Sequence, residues 1–526
     1  MIAPPKSLLS LAASFETLRM SQRLRRRGAA VLEQERALRA LLGPMSQTAF
    51  GREHGINPGM TYAQFQQHVG LRNYDAFSPY VERMKRGESD VLWPGRCRLF
   101  AISAGTTTAS PKHLPMTDHS LRHFRTAGRQ ALLQYMARVG HAGVMRGRHL
   151  FLGGSSALEE YDDGAHIGDL SGILMLNLPT WAEKHLHEPG PEIAQMTDWS
   201  AKLDAIIRRT RSRDISLIAG IPTWLLTLAD ALRKPDAETK QRFLTLQALW
   251  PNLECLMHTG MPLGPYAEEL RQVAGSKVVF HEVYLASEGF IAAQDAESSA
   301  GLRLLTDAGV FFEFLRVEDY HEARLHTAGG KAVPLEGVEA GVDYVLLMTT
   351  PGGLCRYVLG DIVRFLSVDP PRLVYVGRTH LQLSAFGENV VEREITDALL
   401  HTCQRHAWRI VNFHVAPLWN TSARGTAKTG RHEWWVELRP GTVETPTGPA
   451  LAPELDTELK RTNEAYRNKR QNGTIDAPFV RLVMPGLFEQ WMRENHRWGG
   501  QHKMPRCRND RLIADELSRL SPFSEH

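Results

Sequence analysis

Apolar residues recur along this chain with different periods, and the changes of period mark its parts. Residues 8–13 and 20–42 carry them at helical spacing, with Val31, Leu38, Leu41 and Leu42 as candidate core positions. Shorter helices are predicted over 62–69 and 74–84, separated by turn signals such as Asn57-Pro58-Gly59 and closed by Trp93-Pro94-Gly95. The unbroken apolar run Leu99-Phe100-Ala101-Ile102 predicts a buried strand, and Thr117 or Asp118 caps a helix reaching Gln134. Strand patterns at 149–152, 216–219, 253–257 and 277–280 then alternate with helical ones such as 224–232, which predicts a parallel sheet and an α/β core. From Gly309 strands crowd together at 310–315, 343–349, 362–365 and 373–376, predicting an antiparallel, β-barrel-like subregion. Past Gly377 a helix over 391–406, strands at 409–415, 434–438 and 479–483, and a helix carrying Leu455, Leu459 and Tyr466 predict a separate α+β module. The expected fold is therefore α/β: a large domain of mixed α/β sheets over residues 1–377 and a smaller α+β domain over 378–526.

Composition narrows the class without naming a function. A chain of 526 residues, 43% hydrophobic and 23% charged, has the make-up of a soluble globular protein. Its net charge of +4 gives no support to a nucleic-acid partner. The basic run Arg19, Arg23, Arg25, Arg26, Arg27 reads as a solvated helix face or arm. Cys97, Cys255, Cys355, Cys403 and Cys507 lie far apart with no C-x-x-C pair, which suits a reducing, cytoplasmic setting. No apolar run reaches the ~18 residues of a membrane helix, so no membrane partner is expected. The arginines near 8–13 follow the apolar stretch, opposite to a signal peptide.

Candidate chemistry appears first in Ser103-Ala104-Gly105-Thr106-Thr107-Thr108-Ala109-Ser110-Pro111-Lys112. Hydroxyls, backbone N–H groups and a cation in one loop suit a polyphosphate, although the Walker spacing is absent; an exposed Ser/Thr turn is the competing reading. In Val283-Tyr284-Leu285-Ala286-Ser287-Glu288-Gly289 a carboxylate after a strand suits Mg²⁺, a hard ion that prefers oxygen ligands, against the alternative of a plain surface glutamate. Asp361, in Cys355-Arg356-Tyr357-Val358-Leu359-Gly360-Asp361, is placed to accept ribose hydroxyls or merely to cap a turn. Gly377-Arg378-Thr379-His380 precedes Gly387-Glu388 at the domain boundary, and Gly499-Gly500-Gln501-His502-Lys503-Met504-Pro505-Arg506 is a glycine-led loop with a lysine. His185-Leu186-His187-Glu188 lacks the H-E-x-x-H frame of a metal helix.

In this order the five stretches resemble the adenylate-forming superfamily of acyl-CoA synthetases, peptide-synthetase adenylation domains and luciferases. More narrowly, the chain resembles the auxin-responsive Gretchen Hagen family of acyl acid amido synthetases. The likeness includes Thr48-Ala49-Phe50-Gly51-Arg52-Glu53-His54, Arg72-Asn73-Tyr74-Asp75, Leu92-Trp93-Pro94-Gly95, Leu249-Trp250-Pro251-Asn252-Leu253, Ala286-Ser287-Glu288-Gly289 and Lys503-Met504-Pro505-Arg506. It implies an ATP- and Mg²⁺-dependent ligase joining a small carboxylic acid to an amino acid or other amine. Ser103, Thr106, Thr107 and Lys112, with Gly105 between them, would line the β/γ-phosphates of ATP. Gly260 and Tyr284 would border the adenine, Ser287 would face the α-phosphate, Glu288 would hold Mg²⁺, and Asp361 would bind ribose. The segment from Gly377 to His380 would be the hinge of a mobile small domain, with Arg378 among the nucleotide-binding residues. Lys503 would approach the reacting carboxylate during adenylation. Three positions depart from the family pattern: Ala104 removes a hydroxyl, Thr108 replaces the usual Gly, and Asn389 stands where plant-type members carry lysine. An acyl-CoA ligase, or a nucleotide- or acyl-binding scaffold with weak turnover, remain the alternatives. A monomer or weak homo-oligomer is expected.

Overall fold

A computed structural model describes residues 6–103, 111–161, 164–233, 243–325, 329–379, 381–420, 429–439, 446–495, 497 and 504–521. The chain divides into two compact units, Met1–Pro262 with Glu269–Tyr375, and Leu263–Glu268 with Val376–His526.

The first unit opens on two helices, Lys6–Leu24 and Ala29–Ser46, and the break between them falls inside the single helix that the apolar spacing predicts over 20–42, after the helical spacing at 8–13. Gly28 interrupts them with φ of +72°, and its N–H donates to the Asp369 carboxylate at 3.1 Å. A left-handed residue cannot continue the right-handed helical ladder, and glycine takes that conformation freely. Strand β1 (Leu99–Ser103) then turns back as β2 (Lys112–Pro115), pairing Ser103 with Lys112. The helix Asp118–Val139 follows, its first turn closed by Thr117 Oγ1 accepting the Ser120 N–H at 3.1 Å. Along the chain come β3 (Arg148–Phe151), β4 (Glu159–Tyr161) and β5 (Ala165–Asp169), the last two completing a small sheet in the order β2-β1-β5-β4. Next are β6 (His187–Glu188), β7 (Ile215–Gly220), β8 (Cys255–His258) and β9 (Val279–Ala286), which with β3 form a parallel array.

The direction reverses at one turn, between β9 and β10 (Gly289–Ala293). Beyond it lie β11 (Leu302–Leu304), β12 (Phe311–Arg316), β13 (Val333–Pro334), β14 (Asp343–Thr349), β15 (Tyr357–Val368) and β16 (Pro371–Arg378). They join the parallel strands in one twelve-stranded sheet, ordered β13-β12-β14-β15-β16-β11-β10-β9-β8-β7-β3-β6. The barrel-like subregion expected from 310 onward is thus the antiparallel half of an open sheet. Because β16 pairs with β11, those strands extend the parallel half from its edge, and no closed barrel forms among the described residues. Alanines 127 and 131, both fully buried, let the helix Asp118–Val139 lie close on the sheet. Strands β2, β4, β5, β6, β10 and β11 are too short to show a period of two in the sequence.

The second unit carries the hairpin β17 (Gln382–Leu383) and β18 (Val390–Val391), then β19 (Arg409–Trp419), β20 (Gly430–Arg439) and β21 (Phe479–Val483) in that sheet order. The helices Glu392–Arg405 and Gly448–Thr462 pack through Ile395, Leu399, Leu455 and Leu459 on Phe413, Trp434 and Val436. All five cysteines are buried and unpaired. Burial pushes the thiols of Cys97, Cys355 and Cys403 up to about 12, and raises those of Cys255 and Cys507 well above the ordinary thiol range.

Six buried histidines make the fold acid-sensitive. Burial holds His123, His149, His187, His258 and His414 at about 4 and His281 at about 3. An unfolded histidine takes its proton near pH ~6.5, so below that pH the unfolded chain binds protons the folded chain refuses. Stability is present above pH ~6.5 and is lost as pH falls toward 4, each site contributing up to ~1.4 kcal/mol per pH unit in that window. Urea midpoints measured between pH 7 and 4.5 should therefore fall with a slope of several protons, and a flat profile would contradict neutral burial.

Candidate active site

Ser287 and Glu288 are the two-residue turn between β9 and β10, where Ala286 pairs with Gly289. The turn stands at the carboxyl ends of the parallel strands, the edge at which open α/β sheets present their ligand-binding loops. A Cβ at Gly289 would lie 2.6 Å from Met348 Cε and 3.3 Å from His123 Nε2, so any side chain there would have to push the end of Met348 aside. His123 holds the next residue in place: its Nε2 accepts the Phe290 N–H at 2.8 Å, while its Nδ1 donates to Ala308 O at 2.7 Å. This pairing requires the neutral ring that burial enforces.

Two side chains converge on the turn. Tyr357, the first residue of β15, donates its hydroxyl to Glu288 Oε1 at 2.9 Å. Lys112, the first residue of β2, donates from Nζ to the same Tyr357 oxygen at 3.2 Å. The Lys112 ammonium also lies 5.8 Å from the ring centres of Tyr74 and Tyr357, a cation–π spacing. The other oxygen of Glu288 has no hydrogen-bond partner among the described residues.

A second pair lies on the same sheet. Tyr284 donates its hydroxyl to Asp361 Oδ2 at 2.6 Å. Asp361 is 2% exposed and sits in a bulge, where Leu359, Gly360 and Asp361 face the single Leu346 of β14. Gly360 turns that bulge with φ of +84°. Gly260, with φ of +85°, follows the end of β8, next to a buried Thr259 hydroxyl and a His258 Nδ1 that have no hydrogen-bond partner among the described residues.

The structure therefore brings Lys112, Glu288, Tyr284 and Asp361 into two hydrogen-bonded groups and places Ser103 opposite Lys112 at the open end of the β1–β2 hairpin. Gly105, Thr106 and Thr107, with Ala104 and Thr108, lie outside the described residues, as do His380 and Lys503. The short strand Lys112–Pro115, ahead of the helix capped by Thr117, leaves no sign in the sequence. Arg378 ends β16 in the second unit, where its carbonyl accepts the Leu381 N–H at 3.1 Å. Residues after Lys503 are anchored in that unit: Met504 is buried, and Arg506 donates to Asn412 Oδ1 and to the Tyr266 hydroxyl, both at 2.6 Å. Asn389 adopts φ of +48°, a conformation asparagine tolerates better than lysine, and accepts the Ser384 hydroxyl at 2.5 Å. The stretch from His185 to Glu188 is not a metal site: Arg148 and Arg209 bind the Glu188 carboxylate at 2.7 and 2.6 Å, and the His187 ring stacks on Phe151.

Family models match the chain in three successive stretches: the GH3 family N-terminal domain over residues 27–279, the central domain over 303–378 and the C-terminal domain over 393–512. The chain belongs to the GH3 family. Its relatives include the indole-3-acetic acid-amido synthetase GH3.15 of Arabidopsis thaliana, 22% identical over 94% of each chain. The jasmonoyl–L-amino acid synthetase GH3.5 of Oryza sativa subsp. japonica is 21% identical over 95% of this chain and 96% of its own. Among solved structures, AtGH3.15 acyl acid amido synthetase in complex with 2,4-DB shares the fold, with a TM-score of 0.75 at 17% identity over 96% of each chain. A 2-hydroxyisobutyryl-CoA ligase in complex with 2-HIB-AMP shares it more loosely, with a TM-score of 0.54 at 14% identity over 98% of this chain and 93% of its own.

Two residues of this GH3 chain complete the site without having stood out in its sequence. Tyr357 lies within the stretch singled out for Asp361 alone. His123 falls on the buried stripe of its helix with Ser120, Ala127, Ala131 and Gln134, and a polar ring on such a stripe must find partners.

Proposed function

We propose that this protein is an acyl acid amido synthetase: it adenylates a carboxylic acid with ATP and passes the acyl group to an amino acid, forming an amide and releasing AMP and pyrophosphate. The observation that supports it most is the three-part GH3 match over a fold that links Lys112 to Glu288 through Tyr357 and pairs Tyr284 with Asp361. The chemistry demands such groups, because a carboxylate attacking a phosphate brings two anions together and the site must offset their repulsion. Lys112, with Ser103 and the hydroxyls of Thr106 and Thr107, cradles the leaving phosphates, and Ser287 faces the α-phosphate. Asp361 accepts ribose hydroxyls, with its orientation set by Tyr284, whose ring borders the adenine beside Gly260. Lys503 assists adenylation from the small domain, residues 378–526, with Gly377 to His380, Arg378 included, as the hinge to residues 1–377.

Glu288 suits Mg²⁺ because one carboxylate oxygen is held by a neutral phenol and the other is left to bind, a single donor for an ion that phosphates would also ligate. Bound there, Mg²⁺ would draw charge from the departing pyrophosphate. The unpaired, buried cysteines favour a cytoplasmic setting.

The test is a product analysis. The protein is given ATP, Mg²⁺, a panel of carboxylic acids, CoA and pooled amino acids, and products are identified by mass spectrometry. An acyl–amino acid amide with little thioester is expected. A dominant acyl-CoA product would replace the acceptor while keeping adenylation, and absence of pyrophosphate release with every acid would favour a binding scaffold.

A further inference from the structure

We propose that Tyr357 is a positioning residue that keeps the Lys112 ammonium and the Glu288 carboxylate apart while tying them to one another; this rests on the adenylation reading above. Opposite charges this close would ordinarily close into a direct ion pair, and none forms here. Instead the phenol oxygen stands between them, accepting from Lys112 at 3.2 Å and donating to Glu288 at 2.9 Å. Each charge thereby keeps binding capacity for a ligand: the ammonium retains donors, and the carboxylate retains an oxygen.

The phenol itself has little freedom. Tyr357 is fully buried, its ring tilted against Phe77 at 6.1 Å. The backbone on either side is clamped by residue 72: the Val358 N–H donates to Arg72 O at 2.8 Å, and the Arg72 N–H donates to Arg356 O at 3.3 Å. Arg356, immediately before, is locked at φ of +48° by its own buried contacts. A fixed hydroxyl of this kind sets the distance between a phosphate-facing cation and a metal-facing anion before any nucleotide arrives. Such preorganisation lowers the cost of ordering the site on binding.

Tyr357→Phe removes the hydroxyl and keeps the ring, so the fold should hold, which urea unfolding checks. The informative readout is binding rather than turnover: Mn²⁺ in the presence of ATP and absence of acid, followed by electron paramagnetic resonance. Tyr357→Phe should weaken Mn²⁺ binding about five- to tenfold, the scale of one lost intramolecular hydrogen bond. Lys112→Met should weaken it too, but by less in the Tyr357→Phe background than in the wild type, because the phenylalanine variant has already lost the link. Additive effects, or wild-type binding by Tyr357→Phe, would overturn the link and leave adenylation standing. A wild-type protein that binds no Mn²⁺ with ATP would overturn both.

Discussion

Replacing Glu288 by glutamine is expected to cut ATP–pyrophosphate exchange about a hundredfold or more, the scale for losing one preorganised charge-stabilising group. The substitution is a narrow one. Glutamine has the same shape and keeps an oxygen to accept the Tyr357 hydroxyl, so the two-residue turn, with Gly289 and His123 behind it, should be undisturbed. Only the negative charge disappears, and with it the attraction for a hard divalent ion. The loss should therefore appear in the exchange rate and be partly offset by raised Mg²⁺, while the urea midpoint stays at the wild-type value. Near-normal exchange in the folded variant would remove Glu288 from the metal and return it to the role of a surface turn residue.

The second large effect concerns stability. Arg356 is fully buried, and its guanidinium grips both oxygens of Glu313, which is itself buried, with Nε at 3.0 and 3.1 Å. It also donates to Val69 O at 2.6 Å and Gly329 O at 2.8 Å, while the Tyr62 hydroxyl donates to Glu313 at 2.9 Å. Arg356→Met should destabilise the first unit by ~3–5 kcal/mol, because it strands a carboxylate away from water with one phenol for company. Glu313→Leu combined with Arg356→Met should recover much of that loss, since no charge is then left unpaired. Urea unfolding of the single and double variants decides it. A single-variant loss below ~1 kcal/mol would mean that water reaches Glu313, in conflict with its burial.

The parts of the fold that were legible in the sequence are those where burial imposes a long period. The helix Asp118–Val139 and the strands Phe311–Arg316, Asp343–Thr349 and Phe479–Val483 fall within a few residues of their predicted limits. The break at Gly28 was hidden because arginines surround it and the apolar spacing on both sides happens to stay in phase. The antiparallel strands were legible as strands, but not as one open sheet with the parallel ones. That depends on the pairing of Leu302 with Leu373, seventy-one positions along the chain, and periodicity carries no information about partners. For the candidate site, glycine-flanked charges such as Glu288 and Asp361 could be singled out, since glycine beside a carboxylate advertises a backbone need. Tyr357 could not, because an aromatic residue at a strand start looks like core until its hydroxyl is seen between two charges.

The burial of all five cysteines has a use outside the fold itself. A thiol held near 12 is ionised in only about one molecule in ten thousand at pH 8, and it is the thiolate that reacts. The native chain is thus close to a blank surface for thiol-directed reagents. One cysteine placed on an exposed position of each unit, such as Leu18 and Met484, would accept a pair of spectroscopic labels with almost no background. The distance between those labels, followed as ATP, acid and amine are added in turn, would give a direct ruler for whatever motion accompanies catalysis.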